Sequence, residues 1–161
     1  MRTVFHIGIF TVLLALHSLP LKAQHSGVIE WLSFEQLEDS LAVKPKKVFI
    51  DFYTDWCTYC RKMDKKVFTN PDVIALLNAE YYAVKMDAES SDTIHFDGQQ
   101  FINDQLKKSR KPIHQMAQLL ALRKGTFDPP VMVLIDEKFR VTQRYFEYLD
   151  SKKLLKALSK Q

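Results

Sequence analysis

The stretch that decides the fold is residues 48–60, which read VFIDFYTDWCTYC. Its first six residues form a near-continuous apolar run with β-branched and aromatic side chains, which predicts a strand covered on both faces. Two cysteines, Cys57 and Cys60, follow at the point where we expect a helix to begin and to continue to about Phe68. The stretch therefore predicts a buried strand that leads directly into a helix carrying a cysteine pair.

The position of the cysteine pair points to redox chemistry. At a helix start, unpaired backbone N–H groups and the positive end of the helix dipole stabilise a thiolate. The first cysteine is the more exposed member at such a junction, so we predict that Cys57 is the nucleophile. Cys60, one turn further on, is placed to resolve a mixed disulfide. A disulfide that closes so small a loop adds little stability, so a reactive dithiol explains the pair better than a structural staple.

Zinc binding is the main alternative for this spacing, because Cys-x-x-Cys also supplies half of many zinc sites. Such a site needs two further soft ligands, and the chain has no third cysteine. His95 and His114 are the remaining candidates, but their spacing is unlike that of a common zinc site. We therefore predict no metal and no cofactor.

The elements around this stretch alternate between helix and strand. We predict helices over about 33–43, 57–68 and 153–158, with a further short helix capped by Asn70, and strands over 48–53, 81–86, 131–135 and 141–148. The last two strands form an antiparallel hairpin. This order predicts an α/β fold with a central mixed sheet flanked by helices and at least one parallel strand pair.

The segment between Asp87 and Pro129 carries additional structure. Residues 93–102 surround Asp97-Gly98, a dipeptide that favours the tight turn of a β-hairpin. A helix over about 112–123 follows a basic stretch, with Ile113, Met116, Leu119 and Leu120 expected to face inward. We therefore predict an inserted hairpin and helix over about residues 89–125.

The N-terminus has the features of an export signal. Arg2 precedes an apolar run over 4–16, and Pro20 and the small residue Ala23 follow. We predict a signal peptide over residues 1–23 and a single domain over 24–161, in the periplasm or secreted. The apolar run is shorter than the roughly 20 residues that span a bilayer comfortably, although an uncleaved anchor stays open as an alternative.

Composition and charge exclude other functional classes. Hydrophobic residues make up 47% of the 161 residues and charged residues 26%, which is typical of a globular domain. The formal charge is +4, and it falls to +2 when Arg2 and Lys22 of the predicted leader are removed. This charge is too small to indicate nucleic-acid or membrane-surface binding. The sequence is silent on oligomeric state.

Residues 51–63, DFYTDWCTYCRKM, resemble the active-site strand and helix of the thioredoxin superfamily, in particular the C-terminal periplasmic domain of the DsbD type. The resemblance continues through FTNPDV at 68–73 and PVMVLID at 130–136, and covers most of residues 45–160 except about 89–125. It implies a thioredoxin-like fold, a thiol-disulfide oxidoreductase with a reductase or interchange role, disulfide-bearing exported proteins as substrates, and an upstream thiol donor.

The resemblance also implies roles for individual residues. Asp51 matches the buried acid that assists proton transfer from the resolving thiol, and Pro130 matches a cis-proline that faces the dithiol. We assign Trp56, Tyr59 and Pro130 to substrate binding. Asp64 matches a second carboxylate near the site, although a solvated helix residue is the simpler interpretation. Proline at 129 removes a backbone N–H that relatives commonly offer to the incoming peptide.

Two further functions stay open at this point. One is a redox-inert thioredoxin-fold binding module, which the retained cysteines and Asp51 argue against. The other is a carrier that holds a soft ion such as Cu(I) through the dithiol of Cys57 and Cys60.

Overall fold

The computed structural model describes residues 27–160. Its elements in chain order are β1 (Trp31–Leu32), α1 (Phe34–Val43), β2 (Lys47–Tyr53), α2 (Thr58–Lys66), α3 (Pro71–Glu80), β3 (Tyr81–Asp87), β4 (Ile94–Phe96), β5 (Gln99–Phe101), α4 (Gln115–Leu120), β6 (Val131–Ile135), β7 (Val141–Tyr145) and α5 (Ser151–Leu158). The predicted signal peptide, residues 1–23, lies outside the described residues. Among the described residues, no helix is both long and apolar enough to cross a membrane.

A five-stranded mixed sheet forms the centre of the fold, in the order β1-β3-β2-β6-β7. β1, β3 and β2 run parallel, whereas β6 and β7 are antiparallel to their neighbours. β2 lies in the middle and is buried on both faces, as its apolar run predicts. The cysteines follow the C-terminal end of β2, so the pair lies at the end of the central strand.

Two hydrophobic cores cover the two faces of the sheet. Because side chains alternate along a strand, Ile50 and Phe52 face the core that includes α1 and α4. Phe49 faces the opposite core, formed with α2, α3 and α5. Asp51 has the same parity as Phe49 and therefore lies on the α2 side of the sheet. This alternation brings the acid into the layer that also holds the buried face of α2.

Local capping signals set the helix starts that the sequence predicts. Ser33 accepts a hydrogen bond from the Gln36 backbone N–H at 3.2 Å, and the Gln36 side chain accepts one from the Ser33 N–H at 2.9 Å. Asn70 caps α3 by accepting from the backbone N–H groups of Asp72 and Val73. These side chains satisfy donors that the first helical turn leaves unpaired.

The insertion folds over α1. The strands β4 and β5 pair antiparallel, and the two turn residues Asp97 and Gly98 have φ angles of 52° and 66°. Positive φ at both positions is the requirement of a type I′ turn. Phe96 packs edge-on against Phe34 of α1, with ring centroids 5.8 Å apart. Glu35 and Glu38 of α1 accept hydrogen bonds from backbone N–H groups of the hairpin at 2.9 and 3.0 Å.

Several predicted boundaries are wrong. The helix expected over 112–123 spans only Gln115–Leu120, because His114 is its N-cap and Ala121 leaves the helical conformation. Leu119, expected to face inward, is exposed. β7 ends at Tyr145 rather than at residue 148. The sequence prediction also missed β1, since two residues beside a longer helical signal give no periodicity to detect.

Asn103 fixes the second half of the insertion. Its buried side-chain amide donates to the backbone oxygens of Ser90 and Pro112 at 3.0 and 3.1 Å. We expect Asn103→Ala to lower the free energy of unfolding by about 1–3 kcal/mol, because buried backbone oxygens lose their donor. Urea unfolding measures this change. Asp104→Ala, at the exposed neighbouring position, should shift stability by no more than about 0.5 kcal/mol; equal losses in the two variants would contradict the assignment.

Candidate active site

Cys57 and Cys60 form a disulfide at the start of α2, with Cα atoms 5.3 Å apart. Cys57 is the N-cap residue, and its Sγ accepts a hydrogen bond from the Cys60 backbone N–H at 3.0 Å. The Cys57 N–H in turn donates to the Thr54 carbonyl at 3.1 Å. A donor aimed at Sγ and the positive helix end both favour the thiolate of Cys57 once the disulfide is opened.

Exposure does not distinguish the two sulfurs. Cys57 is 4% exposed and Cys60 is 3% exposed, so both are buried in this disulfide form and the greater exposure of Cys57 stays a prediction for the reduced form. The asymmetry between the cysteines lies instead in the hydrogen bond from the Cys60 N–H to Cys57 Sγ.

Asp51 is a buried carboxyl on the α2 side of the central strand. Its side chain is 2% exposed, and within residues 27–160 its Oδ1 has no hydrogen-bond partner. Burial raises the pKa of Asp51 from 3.8 to about 7, and the ammonium of Lys85 opposes the rise. The charge of Asp64 contributes a smaller increase. A carboxyl that titrates near neutral pH is suited to accept and return a proton.

Lys85 links two carboxylates at the site. Its Nζ lies 3.8 Å from Asp51 Oδ2 and forms a closer ion pair with Asp64 Oδ1. The parallel register of β2 and β3 places Lys85 directly opposite Asp51. Asp64 is a partly exposed helix residue, as the simpler interpretation expects, and in addition it holds this ion pair. The ammonium also lies 5.0 Å from the ring centroid of Tyr53.

Sequence reasoning missed Lys85, although a signal was present. A lysine within the buried strand 81–86 carries a charge that is costly to bury unless a partner lies nearby. The acid in the neighbouring buried strand, Asp51, was the natural candidate. The parallel register that brings the two together could not be read from either strand alone.

Replacement of Lys85 by methionine is expected to raise the pKa of Asp51 above about 7, because the cation that opposes the effect of burial is removed. Carboxyl chemical shifts of Asp51 measured by NMR across a pH titration give this value. Lys47→Met is the matched control, since Lys47 lies at the start of the same strand as Asp51 with its own partner, Glu80, at 3.6 Å. An Asp51 pKa that moves equally in both variants, or in neither, would rule out the proposed coupling.

Trp56 and Tyr59 stand at the rim of the site, each about half exposed. The Trp56 indole Nε1 donates to Glu89 Oε1 at 3.0 Å, and Lys111 Nζ lies 4.8 Å from the Trp56 ring centroid. Both partners belong to the insertion. Tyr59 lies against Tyr148, with ring centroids 6.0 Å apart. Trp56 is therefore a half-exposed surface residue that the insertion contacts from two sides.

The peptide bond between Pro129 and Pro130 is cis. Pro130 precedes β6, whose first residue Val131 pairs with Phe52 near the end of β2. This register places Pro130 at the end of the sheet where β2 leads into the cysteines and α2. The structure thus brings Asp51, the cysteines and Pro130 to one end of the sheet, with Trp56 and Tyr59 at the rim; substrate contact by the last three stays a prediction.

The histidines considered for zinc are engaged elsewhere. His114 is fully buried; its Nδ1 accepts from the Met116 backbone N–H at 3.1 Å, and its Nε2 contacts the Asp92 carbonyl at 3.1 Å. His95 lies in the inserted hairpin, paired with Gln100. Across residues 27–160, no group of three or more His, Cys, Asp or Glu side chains is arranged to hold a metal ion.

Comparison with known proteins places these features in context. The model of the thioredoxin-like domain family matches residues 34–161. The thiol:disulfide interchange protein DsbD 2 of Pseudomonas aeruginosa is 36% identical over 61 residues, which are 36% of this chain and 10% of that protein. DsbD of Campylobacter jejuni is 23% identical over 113 residues, 68% of this chain and 16% of that protein. The chain thus corresponds to only a small part of the curated relatives it matches.

Solved structures share the architecture. A DsbH oxidoreductase superposes with a TM-score of 0.59 at 13% identity, covering 89% of this chain and 90% of that one. A thioredoxin from Thermus thermophilus gives 0.57 at 20% identity, with 83% and 86% covered. At these identities the superpositions establish the fold, a mixed sheet flanked by helices, as the sequence predicts.

Proposed function

This chain belongs to the thioredoxin-like domain family, and from that premise we propose that it is a thiol-disulfide oxidoreductase that reduces or interchanges disulfides in exported proteins. The observation that carries the proposal is the placement of Cys57 at the N-cap of α2, where its sulfur accepts the Cys60 N–H. A buried carboxyl that titrates near neutral pH lies on the same side of the sheet. The structure corresponds to the oxidised state of the pair.

The reaction runs in two exchanges. The Cys57 thiolate attacks one sulfur of the partner disulfide, forming a mixed disulfide and releasing the other partner sulfur as a thiolate. Cys60 then loses its proton to the Asp51 carboxylate and attacks Cys57 Sγ, which releases the second partner sulfur. Two electrons pass to the partner, and the protein is left with the Cys57–Cys60 disulfide. An upstream thiol donor restores the dithiol by the reverse exchanges.

The rim residues supply binding rather than electrons. Trp56 and Tyr59, each about half exposed, offer aromatic surface to the partner, and Pro130 immediately precedes β6, which pairs with β2. We further propose that the mature protein is the single domain 24–161, acting in the periplasm or outside the cell after removal of residues 1–23. The intact mass of the exported protein tests the cleavage site.

The reduction potential of the pair tests the direction of transfer. The purified protein is equilibrated in dithiol and disulfide buffers of known potential, and the fraction of free thiol is measured by mass-tagging. A reductase should give a value near that of thioredoxin, about −270 mV, whereas a strong oxidant lies near about −120 mV. A value close to the latter would contradict the reductase role. A pair that fails to titrate would instead indicate a redox-inert binding module.

A further inference from the structure

A cleft of about 420 Å³ opens between the active-site rim and the insertion. The cleft is lined by Trp56, which precedes the nucleophilic cysteine, and by Gln105, Lys111 and Phe127. The cleft is large enough for one or two side chains of a partner. A partner segment next to the attacked disulfide therefore passes along a surface that the insertion provides.

The insertion carries a cluster of cations, one of which, Lys111, lines this cleft. We call residues 105–111 the basic arm; its cations are Lys107, Lys108, Arg110 and Lys111, all exposed. Within residues 27–160 none of the four forms an ion pair with an acid. Gln105 and Lys111, at the two ends of the arm, line the cleft, and the other three cations lie between them in the sequence.

Two acids of the insertion are already engaged. Glu89 accepts the Trp56 indole N–H at 3.0 Å, and Asp104 accepts from the Gln118 amide at 3.2 Å. The basic arm itself carries four cations and no acid, so its own charge is positive. An anionic partner group would therefore find unpaired cations at the place where the partner must dock.

The basic arm is held in a fixed position. The Gln105 carbonyl accepts from the Lys108 and Ser109 backbone N–H groups at 2.9 and 3.0 Å, and its side chain accepts from the Ile113 N–H at 3.1 Å. Buried Asn103 fixes the base of the arm. A charge cluster that is ordered before binding loses little conformational entropy when a partner docks.

We propose that the basic arm selects protein substrates whose disulfide is flanked by acidic residues. This inference rests on the proposed thiol-disulfide exchange and names the class of substrate. Opposite charges at the rim raise the encounter rate of such a substrate, and the effect weakens as salt screens it. Among the four cations, Lys111 acts nearest to the sulfurs, because its ammonium contacts the ring of Trp56, the residue that precedes Cys57.

The test compares three synthetic peptides that share one intramolecular disulfide and differ only in flanking residues: glutamate, glutamine or lysine. Single-turnover reduction by the reduced protein is followed by stopped flow, with hydroxyethyl disulfide as an uncharged substrate. At low ionic strength we expect the glutamate peptide to react about tenfold faster than the lysine peptide, with the difference falling below about twofold in 0.5 M salt. The variant K107Q/K108Q/R110Q should lose the preference and reduce hydroxyethyl disulfide at the original rate.

K153Q/K156Q/K160Q is the matched control. It removes the same charge from α5 and its C-terminal end, and α5 packs on the opposite face of the sheet from α4. This variant should keep the preference for the glutamate peptide. A preference that survives in the arm variant, or is lost equally in the α5 variant, would overturn the proposal.

Two further measurements separate the outcomes. Anisotropy of dye-labelled peptides with serine in place of cysteine reports binding without exchange. Binding of the glutamate peptide through the arm, with no reduction of any disulfide, would refute the exchange chemistry and retain the recognition surface. Equal reduction and equal binding of all three peptides, together with arm-dependent sedimentation on phosphatidylglycerol vesicles, would assign the arm to a lipid surface and overturn the proposal.

Discussion

Cys57→Ser is expected to abolish disulfide reduction, whereas Cys60→Ser should still attack its substrate and then remain attached to it. The first variant lacks the sulfur that forms the mixed disulfide, and the second lacks the sulfur that resolves it. We expect turnover of a small disulfide to fall by at least about a thousandfold in both variants, on the scale seen when a covalent nucleophile is removed. Only Cys60→Ser should accumulate adducts, visible by non-reducing electrophoresis and intact mass.

The same assignment predicts unequal thiol reactivity in the reduced protein. The Cys60 N–H donates to Cys57 Sγ at the N-cap of α2. This arrangement stabilises the thiolate of Cys57 relative to the thiolate of a free cysteine. Rapid alkylation near neutral pH should therefore modify Cys57 alone, as peptide mass mapping can show. Thr58→Ala changes the same turn without removing a sulfur and should retain this pattern. Equal alkylation of both thiols at the rate of free cysteine would falsify the assignment.

Asp51→Asn should slow the resolving step while leaving the fold intact. In its ionised form Asp51 accepts the Cys60 proton, so turnover of the original protein should rise as pH passes the Asp51 pKa of about 7. We expect the variant to lose this rise and to be slower at pH 8 by about 10- to 100-fold, at the lower end of general-base effects. Stopped-flow release of the substrate thiol between pH 6 and 9 measures the profile.

The buried carboxyl also predicts how stability depends on pH. Burial raises the folded-state pKa of Asp51 from 3.8 to about 7, so the unfolded chain releases this proton at lower pH than the folded chain. The contribution of protonated Asp51 to the free energy of unfolding is therefore complete below about pH 4. It is lost as the pH rises from about 4 through 7. Asp51→Asn should therefore match the original protein near pH 4 and exceed it at pH 8 by up to about 4 kcal/mol.

Urea unfolding at several pH values tests this sign, and Asp55→Asn provides the control because Asp55 is exposed in the loop that follows β2. That control should leave both the pH profile of turnover and the stability near those of the original protein. Turnover of Asp51→Asn that is unchanged from pH 6 to 9 would remove Asp51 from the mechanism. Lower stability of Asp51→Asn than of the original protein at pH 8 would show that the carboxylate has partners that outweigh its burial.

Local signals in the sequence determined most of the fold. The apolar run of β2 and the cysteines at the start of α2 are contiguous, so the strand-to-helix junction could be predicted from residues 48–60. The caps at Ser33 and Asn70 act within three residues, and the Asp97-Gly98 turn dictates its own φ angles. The resemblance to the thioredoxin superfamily, carried by the same contiguous motifs, is confirmed by the family match over 34–161.

Only the tertiary structure determined which charged and aromatic groups contact Asp51 and Trp56. Lys85 faces Asp51 because β2 and β3 pair in parallel register, and the ion pair with Asp64 closes the contact from α2. Trp56 contacts Glu89 and Lys111, two residues of the insertion that are distant from it in the sequence. Charge-charge and ring contacts of this kind depend on distances between separate elements. Those distances arise from strand register and packing, which no single segment of the sequence encodes.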